Sequence, residues 1–246
     1  MDDAGSGQRR AAPKRTEHPL GGWLWYSAAG GFMKHLTFWF DPISPFAYLA
    51  FERLPQALEG LSVEVSYRPI LFAGLLHHWG QKGPAEIEPK RAWTFRHVHW
   101  LAHQHGIPID TPAQHPFNPL ALLRLLVASA PLGGTPNRRA CELVLRHVWR
   151  GGADANDPAR LAVLTQELAA PLAVNDERVK QALKDATADA LARGVFGVPT
   201  IEVDGRLFWG LDALPMLADC LRGGPWFDGP AWDREGAPRA GLQRAG

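Results

Sequence analysis

Cysteine is scarce in this 246-residue chain: there are two, Cys141 and Cys220, in no Cys-x-x-Cys pair. So few thiols exclude a disulfide scaffold, a four-cysteine zinc site and a dithiol redox centre, and they point to a reducing, cytoplasmic setting. An excess of charge of one sign is missing as well. Lys plus Arg at 26 balance Asp plus Glu at 25, and the net +1 leaves no basic surplus to neutralise a phosphate backbone, so nucleic acid is not an expected partner. No uninterrupted apolar run approaches the roughly 18 residues that mark a membrane span, and none is expected. What is present is 46% hydrophobic and 10% aromatic, enough for a packed core, at a length that suits one domain or one domain with a large insertion.

The first 32 residues stand apart. Met1 to Leu20 is polar and basic, and GGWLWYSAAGGF after it carries Tyr26, Ser27 and four glycines where a signal peptide needs an apolar core. A disordered extension over 1–32 is the expectation, with the fold opening at Met33. His35 to Phe40 (HLTFWF) is rich in β-formers, two prolines interrupt it at Asp41-Pro42-Ile43-Ser44-Pro45, and Phe46 to Leu58 resumes at helical spacing. Leu61 to Ile70 alternates apolar and polar residues, completing a β-α-β unit with parallel strands and a right-handed crossover.

From Leu71 to Arg193 only helical periods are found. Helices are expected over Phe72 to Trp79, Pro89 to His105, Pro119 to Ala130, Asn137 to Trp149, Pro158 to Glu167 and Asp176 to Arg193. The prolines stand in first turns, where a missing amide proton costs nothing, Asp157 is placed to cap, and Gly106, Gly151 and Gly194 follow last turns. Strand character returns in Pro199 to Val203 and Arg206 to Trp209 around an Asp204-Gly205 hairpin signal, before a last helix from about Leu211 to Leu221. The order β-α-β, helices, β-β-α is an α/β thioredoxin-like layout. Residues 33–72 and 194–246 form its thioredoxin-like domain, and 73–193 an all-helical insertion domain. The aromatic tail after Gly223 is expected to pack back on the body.

In such a fold the reactive group sits after the first strand, at the amino end of the first helix, where unpaired amides and the helix dipole favour a thiolate. Here that place reads DPISPFAY, with Ser44 and Ala47 where a disulfide oxidoreductase has its cysteines. A hydroxyl cannot exchange disulfides, but it can donate a hydrogen bond to the thiolate of a bound thiol such as glutathione. The plainer reading of Ser44 is a helix N-cap. GVFGVPT, residues 194–200, opens the late strand where a cis-proline faces the reactive loop in this fold. If Pro199 is cis, the Val198 backbone can bind a peptide-like ligand; otherwise the segment is a glycine-rich turn. FWGLD, residues 208–212, leads into the last helix, where Asp212 either receives an ammonium group or is an ordinary helix-start acid.

Taken together, DPISPFAYL, GVFGVPT and FWGLD resemble the 2-hydroxychromene-2-carboxylate isomerase family, relatives of kappa-class glutathione transferases among the disulfide-oxidoreductase-like thioredoxin folds. The resemblance spans Met33 to about Arg222. It implies that Ser44 holds the sulfur of a glutathione cofactor and that Phe46, Val198 and Pro199 contact that cofactor. Trp209, Gly210, Leu211 and Asp212 would bind its γ-glutamyl end. The family usually has Asn or Ser where Leu211 stands and Arg where Ala213 stands. His77 aligns with a substrate-contacting lysine, Trp93 or Phe95 lies near a substrate-binding tyrosine, and Asn118-Pro119 matches an Asn motif.

The implied activity is a glutathione-dependent isomerisation of a small aromatic oxo-acid by reversible thiolate addition, bond rotation and elimination, in a homodimer. Two alternatives use the same residues differently: a kappa-like glutathione transferase forming a stable conjugate, and a non-enzymatic thioredoxin-like protein binding peptides or partners. The histidine-rich helix does not read as a metal site. His99 and His103 do not share a face with His97 and His105, and no His-Glu-x-x-His pattern follows. Cys141 and Cys220 read as small core residues.

Overall fold

The computed structural model describes residues 33–131, 133–230 and 232, and those from Lys34 onward belong to one compact unit. The extension expected over 1–32 lies outside the described residues. A sheet of four strands is ordered β2-β1-β3-β4, where β1 is Lys34–Phe40, β2 Val63–Pro69, β3 Thr200–Val203 and β4 Arg206–Trp209. β1 runs parallel to β2 and antiparallel to β3, and β3 pairs antiparallel with β4. Between β1 and β2 lies α1, Pro45–Ala57; after β4 come α8, Leu214–Leu221, and the short α9, Pro225–Asp228. The segment between β2 and β3 folds into α2 (Phe72–His78), α3 (Glu88–His105), α4 (Leu120–Ala128), α5 (Arg138–Trp149), α6 (Pro158–Leu168) and α7 (Glu177–Ala192), with a 3-10 turn at Pro84–Glu86.

β1 explains why the sheet is buried on both sides. Leu36, Phe38 and Phe40 alternate onto one face and join Phe51 of α1, Tyr67 of β2 and Val98, Leu122 and Val144 of the helices in one continuous core. Trp39 points to the other face, among Ile70, Leu75, Val195 and Val198. There its indole N–H donates to Glu202 (3.2 Å), whose other oxygen accepts from Arg193 (2.7 Å), so a buried carboxylate is fully engaged.

Pro55 lies inside α1 and takes away the amide that the Phe51 carbonyl needs. Arg138 from α5 supplies the missing donor at 3.2 Å, and its guanidinium lies 4.1 Å from the centre of the Phe51 ring and 3.1 Å from the Tyr67 hydroxyl. The helical segment and the sheet thus share polar contacts as well as a core.

Most ends fall within two residues of expectation, and Asn137, Asp157 and Asp176 cap α5, α6 and α7 through their side chains. The Asp204-Gly205 hairpin has the two positive φ values, 50° and 76°, that its dipeptide favours. Two ends differ. Pro119 is the residue before α4, not its first turn, and α8 begins at Leu214, three residues later than expected. The cause of the second is Gly210: its φ of 96° turns the chain out of β4, and a Leu214 N–H to Leu211 carbonyl bond closes a turn before the helix can start. Of the tail, Phe227 is buried and Trp232 packs against it, their ring centres 5.6 Å apart.

Candidate functional site

Both faces of β1 are buried up to Phe40, so the chain leaves the sheet inside the protein and its polar groups need partners there. Asp41, fully buried, accepts from the Ile43 amide (3.0 Å) and the Phe72 amide (2.9 Å). The second contact caps α2, whose preceding residue Leu71 has no side-chain acceptor to offer. Burial pushes the Asp41 carboxyl up to about 7, against the pull of the two amides. The Pro42 carbonyl accepts from the Trp149 indole (2.8 Å), and the Ile43 carbonyl pairs with His115 Nε2 (2.9 Å). A carbonyl partner requires the His115 tautomer protonated at Nε2, and burial holds the imidazole below its usual pKa, in keeping with a neutral ring.

Ser44 follows and does two things. Its Oγ accepts from the Ala47 amide (3.2 Å) as the N-cap of α1, and its hydroxyl donates to the Val198 carbonyl at 3.3 Å. The side chain is nearly buried, at 7% exposure. A donor–acceptor distance of 3.3 Å is long for a hydroxyl, so this bond is weak and the proton can pass to a better acceptor. Val198-Pro199 is a cis peptide bond, and the Gly210 amide donates to the Pro199 carbonyl (2.9 Å), which ties FWGLD to the same place. Trp209 lies directly on Gly197: a Cβ there would meet the indole Nε1 at 2.5 Å, so only glycine allows the two segments to approach.

These segments open onto a cleft of about 570 Å³ between α1, α3 and α8. Phe46, Val198, Pro199 and the whole of Trp209 to Asp212 line it. Asp212 is exposed, and its side chain forms no hydrogen bond or ion pair with another described residue; the residue before α8 is Ala213, so Asp212 is not its cap. Its carboxylate is free for a cationic group. α8 itself offers a carboxylate less than expected, because Leu214 already donates its amide to Leu211 and Pro215 has none.

The arrangement, a β-α-β unit and a β-β-α unit joined by helices with a reactive loop facing a cis-proline, is matched by the model of the DSBA-like thioredoxin domain over residues 35–222. The chain belongs to that family. Among curated proteins, this DSBA-like chain is 29% identical over 196 residues to a 2-hydroxychromene-2-carboxylate isomerase of Sphingobium xenophagum, covering 76% of this chain and 98% of the relative. It is 28% identical over 229 residues to glutathione S-transferase kappa 2 of Caenorhabditis elegans, covering 84% and 98%. Its fold matches a solved 2-hydroxychromene-2-carboxylate isomerase with a TM-score of 0.68, at 22% identity over 79% of this chain and 97% of that one.

The DSBA-like loop, the cis-proline segment and FWGLD therefore meet in space. The residues expected to hold substrate do not join them. His77 is exposed on α2, which packs against α7, and does not line the cleft. Asn118 accepts from the Leu120 amide (3.1 Å) at the start of α4. Phe95 sits edge-on to His115 behind the reactive loop, with ring centres 5.1 Å apart. Trp93 is 66% exposed and stacks on His97, and it is His97 that reaches the cleft, against Phe46 at 6.0 Å between ring centres.

The sequence does not single out Asp41, His115 and Trp149 as clamps of the loop or Arg53 and Arg222 in the cleft, and it raises His105 only in weighing a metal site. A signal existed for some of them: Phe46, Arg53 and Ala57 follow at seven and four residues along α1, and His97, Leu101 and His105 at four and four along α3, one face in each case.

Proposed function

We propose that this protein is a glutathione-dependent isomerase of the 2-hydroxychromene-2-carboxylate type. The observation that carries the reading is Ser44: an alcohol stands at the helix start where the fold's redox members carry a thiol, hydrogen-bonded to the carbonyl of Val198, which with cis-Pro199 lines a cleft that also holds the Asp212 carboxylate. The polar groups suit glutathione. Asp212 can take the γ-glutamyl ammonium, the Val198 backbone the cysteinyl unit, and Ser44 the sulfur.

When bound, glutathione supplies a thiolate that adds reversibly to a conjugated enone, so that the former double bond can rotate before the thiolate leaves. The protein's part is to keep the sulfur ionised and to position it. Rotation of the Ser44 hydroxyl away from Val198 gives the thiolate a donor, while Oγ keeps the Ala47 amide and the start of α1 adds its dipole. Raising the thiolate-to-thiol ratio a hundredfold corresponds to about 2.7 kcal/mol, within reach of a charge-assisted hydrogen bond plus a helix terminus. Phe46, Trp209 and His97 line the cleft with aromatic surface suited to a flat oxo-acid.

The test is thermal stability with and without glutathione for the wild type, Ser44→Ala and Asp212→Asn, together with the absorbance of 2-hydroxychromene-2-carboxylate and the glutathione content of the reaction. A glutathione-dependent shift in the wild type, weakened in both variants, with substrate converted and glutathione conserved, is the expected result. Stoichiometric loss of glutathione would instead favour a kappa-like transferase. No shift at all would sink both catalytic readings and leave a binding protein.

A further inference from the structure

α3 turns aromatic rings to solvent on the side away from the core. Of its 18 residues, Val98 and Ala102 are the buried ones. A helix on a protein's surface ordinarily presents a polar face outward. Here Trp93 and Trp100, seven residues or about two turns apart, fall on the side opposite Ala102, and they are 66% and 57% exposed. His97 stands between them, its ring nearly parallel to both, with centres 6.3 and 6.2 Å away. The three rings form one ridge along roughly 10 Å of the helix.

Cations flank the ridge. Lys90 and Arg96 stand three residues either side of Trp93, and neither pairs with a carboxylate among the described residues, whereas Arg68, Arg146 and Arg193 do. The single carboxylate of α3, Glu88, sits in its first turn. A second copy of the chain meeting this face about a two-fold axis would set these cations against the same cations. Indoles with flanking positive charge match the headgroup layer of a bilayer instead. There a ring can keep one side apolar and the other wet, while Lys and Arg reach lipid phosphates.

We propose that this face of α3 docks on the surface of an anionic phospholipid bilayer. Trp93 and Trp100 enter the headgroup layer with the helix lying in the plane of the surface, and Lys90 and Arg96 take lipid phosphates. His97 also lines the cleft, with Leu101 and His105 of the same helix, so docking sets the cleft beside the lipid. An apolar substrate dissolved in the bilayer then enters without crossing bulk water. That last step rests on the function proposed above; the docking itself is read without glutathione.

The experiment is flotation of the full chain, without glutathione, with vesicles of phosphatidylcholine alone or containing about 30% phosphatidylglycerol. The wild type is expected to bind the anionic vesicles about tenfold more tightly than the neutral ones, and to lose that preference as salt rises to about 0.5 M. Trp93→Ala/Trp100→Ala should weaken binding to both vesicles about tenfold, and Lys90→Gln/Arg96→Gln should remove most of the preference for the anionic ones. Val163→Ala, which alters an exposed apolar residue of α6, should change neither. No binding by the wild type, equal binding to the two vesicles, or a tryptophan pair that binds like the wild type overturns the proposal. A dimer that the tryptophan pair dissociates in sedimentation, with no vesicle binding, assigns the ridge to a second copy and overturns it as well. If vesicles bind through the ridge while glutathione does not bind at all, the docking stands and the isomerase reading falls; if glutathione binds and vesicles do not, the docking alone falls. Circular dichroism confirms that each variant is folded, and the glutamine pair with the salt dependence carries the test if the alanine pair is not.

Discussion

The Ser44 hydroxyl donates to the Val198 carbonyl at 3.3 Å, joining two segments 154 residues apart in the chain. Because Oγ also caps α1, removing it touches stability and chemistry together. Ser44→Ala is expected to cost about 1 kcal/mol in denaturant unfolding, the usual effect of a lost N-cap acceptor. It should also abolish any ultraviolet thiolate signal of bound glutathione at neutral pH. Ser44→Thr keeps the acceptor, so its stability should lie nearer the wild type. An Ala variant with full thiolate signal would show that the hydroxyl does not govern the sulfur.

Asp41 sets a pH dependence. Its folded value of about 7 lies above the ordinary 3.8, so between these values the folded protein keeps a proton that the unfolded chain releases. This contribution to stability is complete below about pH 4, declines as pH rises to about 7, and is constant above. A fall of up to a few kcal/mol over that range is expected in the wild type. Unfolding of Asp41→Asn followed at several pH values should lack this slope; equal slopes in both proteins would refute the assignment.

Gly197 tests the contact between the two late segments. In Gly197→Ala the added methyl meets the Trp209 indole at 2.5 Å, and the ring must move out of the cleft. Overpacking of this kind costs about 1–3 kcal/mol. Melting temperature and glutathione affinity are both expected to fall, whereas Gly223→Ala, with open space around it but φ of 77°, should lower stability alone.

Trp149 is the clamp from α5. Trp149→Phe keeps the aromatic bulk but leaves the Pro42 carbonyl without its 2.8 Å donor, at a cost of about 1–3 kcal/mol for a buried orphan. A loosened loop should weaken glutathione binding beyond what the drop in stability explains. Hydrogen exchange of the Ile43 and Ala47 amides would report the loosening directly.

Much of this architecture is legible locally. Asp204-Gly205 forces a hairpin, Ser44-Pro45 starts a helix, and the β-formers of His35 to Phe40 mark the first strand. The three motifs converge because the thioredoxin order brings strand ends and helix starts to one edge. The start of α8 was misplaced because a turn closed by one backbone bond cannot be told from a first helical turn by residue type. The cleft's arginines escaped because their meeting depends on how α1 and α8 lie side by side, which no window of sequence contains. His115 lies in a loop with Pro108, Pro112 and Pro116 around it, far from the carbonyl it serves, and has no period to mark it.

The loop from Asp41 to Ile43 is held by Phe72, Trp149 and His115, which come from α2, from α5 and from the connection before α4. The helical segment is thus not a detachable accessory to the sheet. A chimaera that took its helices from another relative would inherit the reactive loop's shape from the donor of the helices, so recombination between such proteins has to exchange loop and helices as one heritable block.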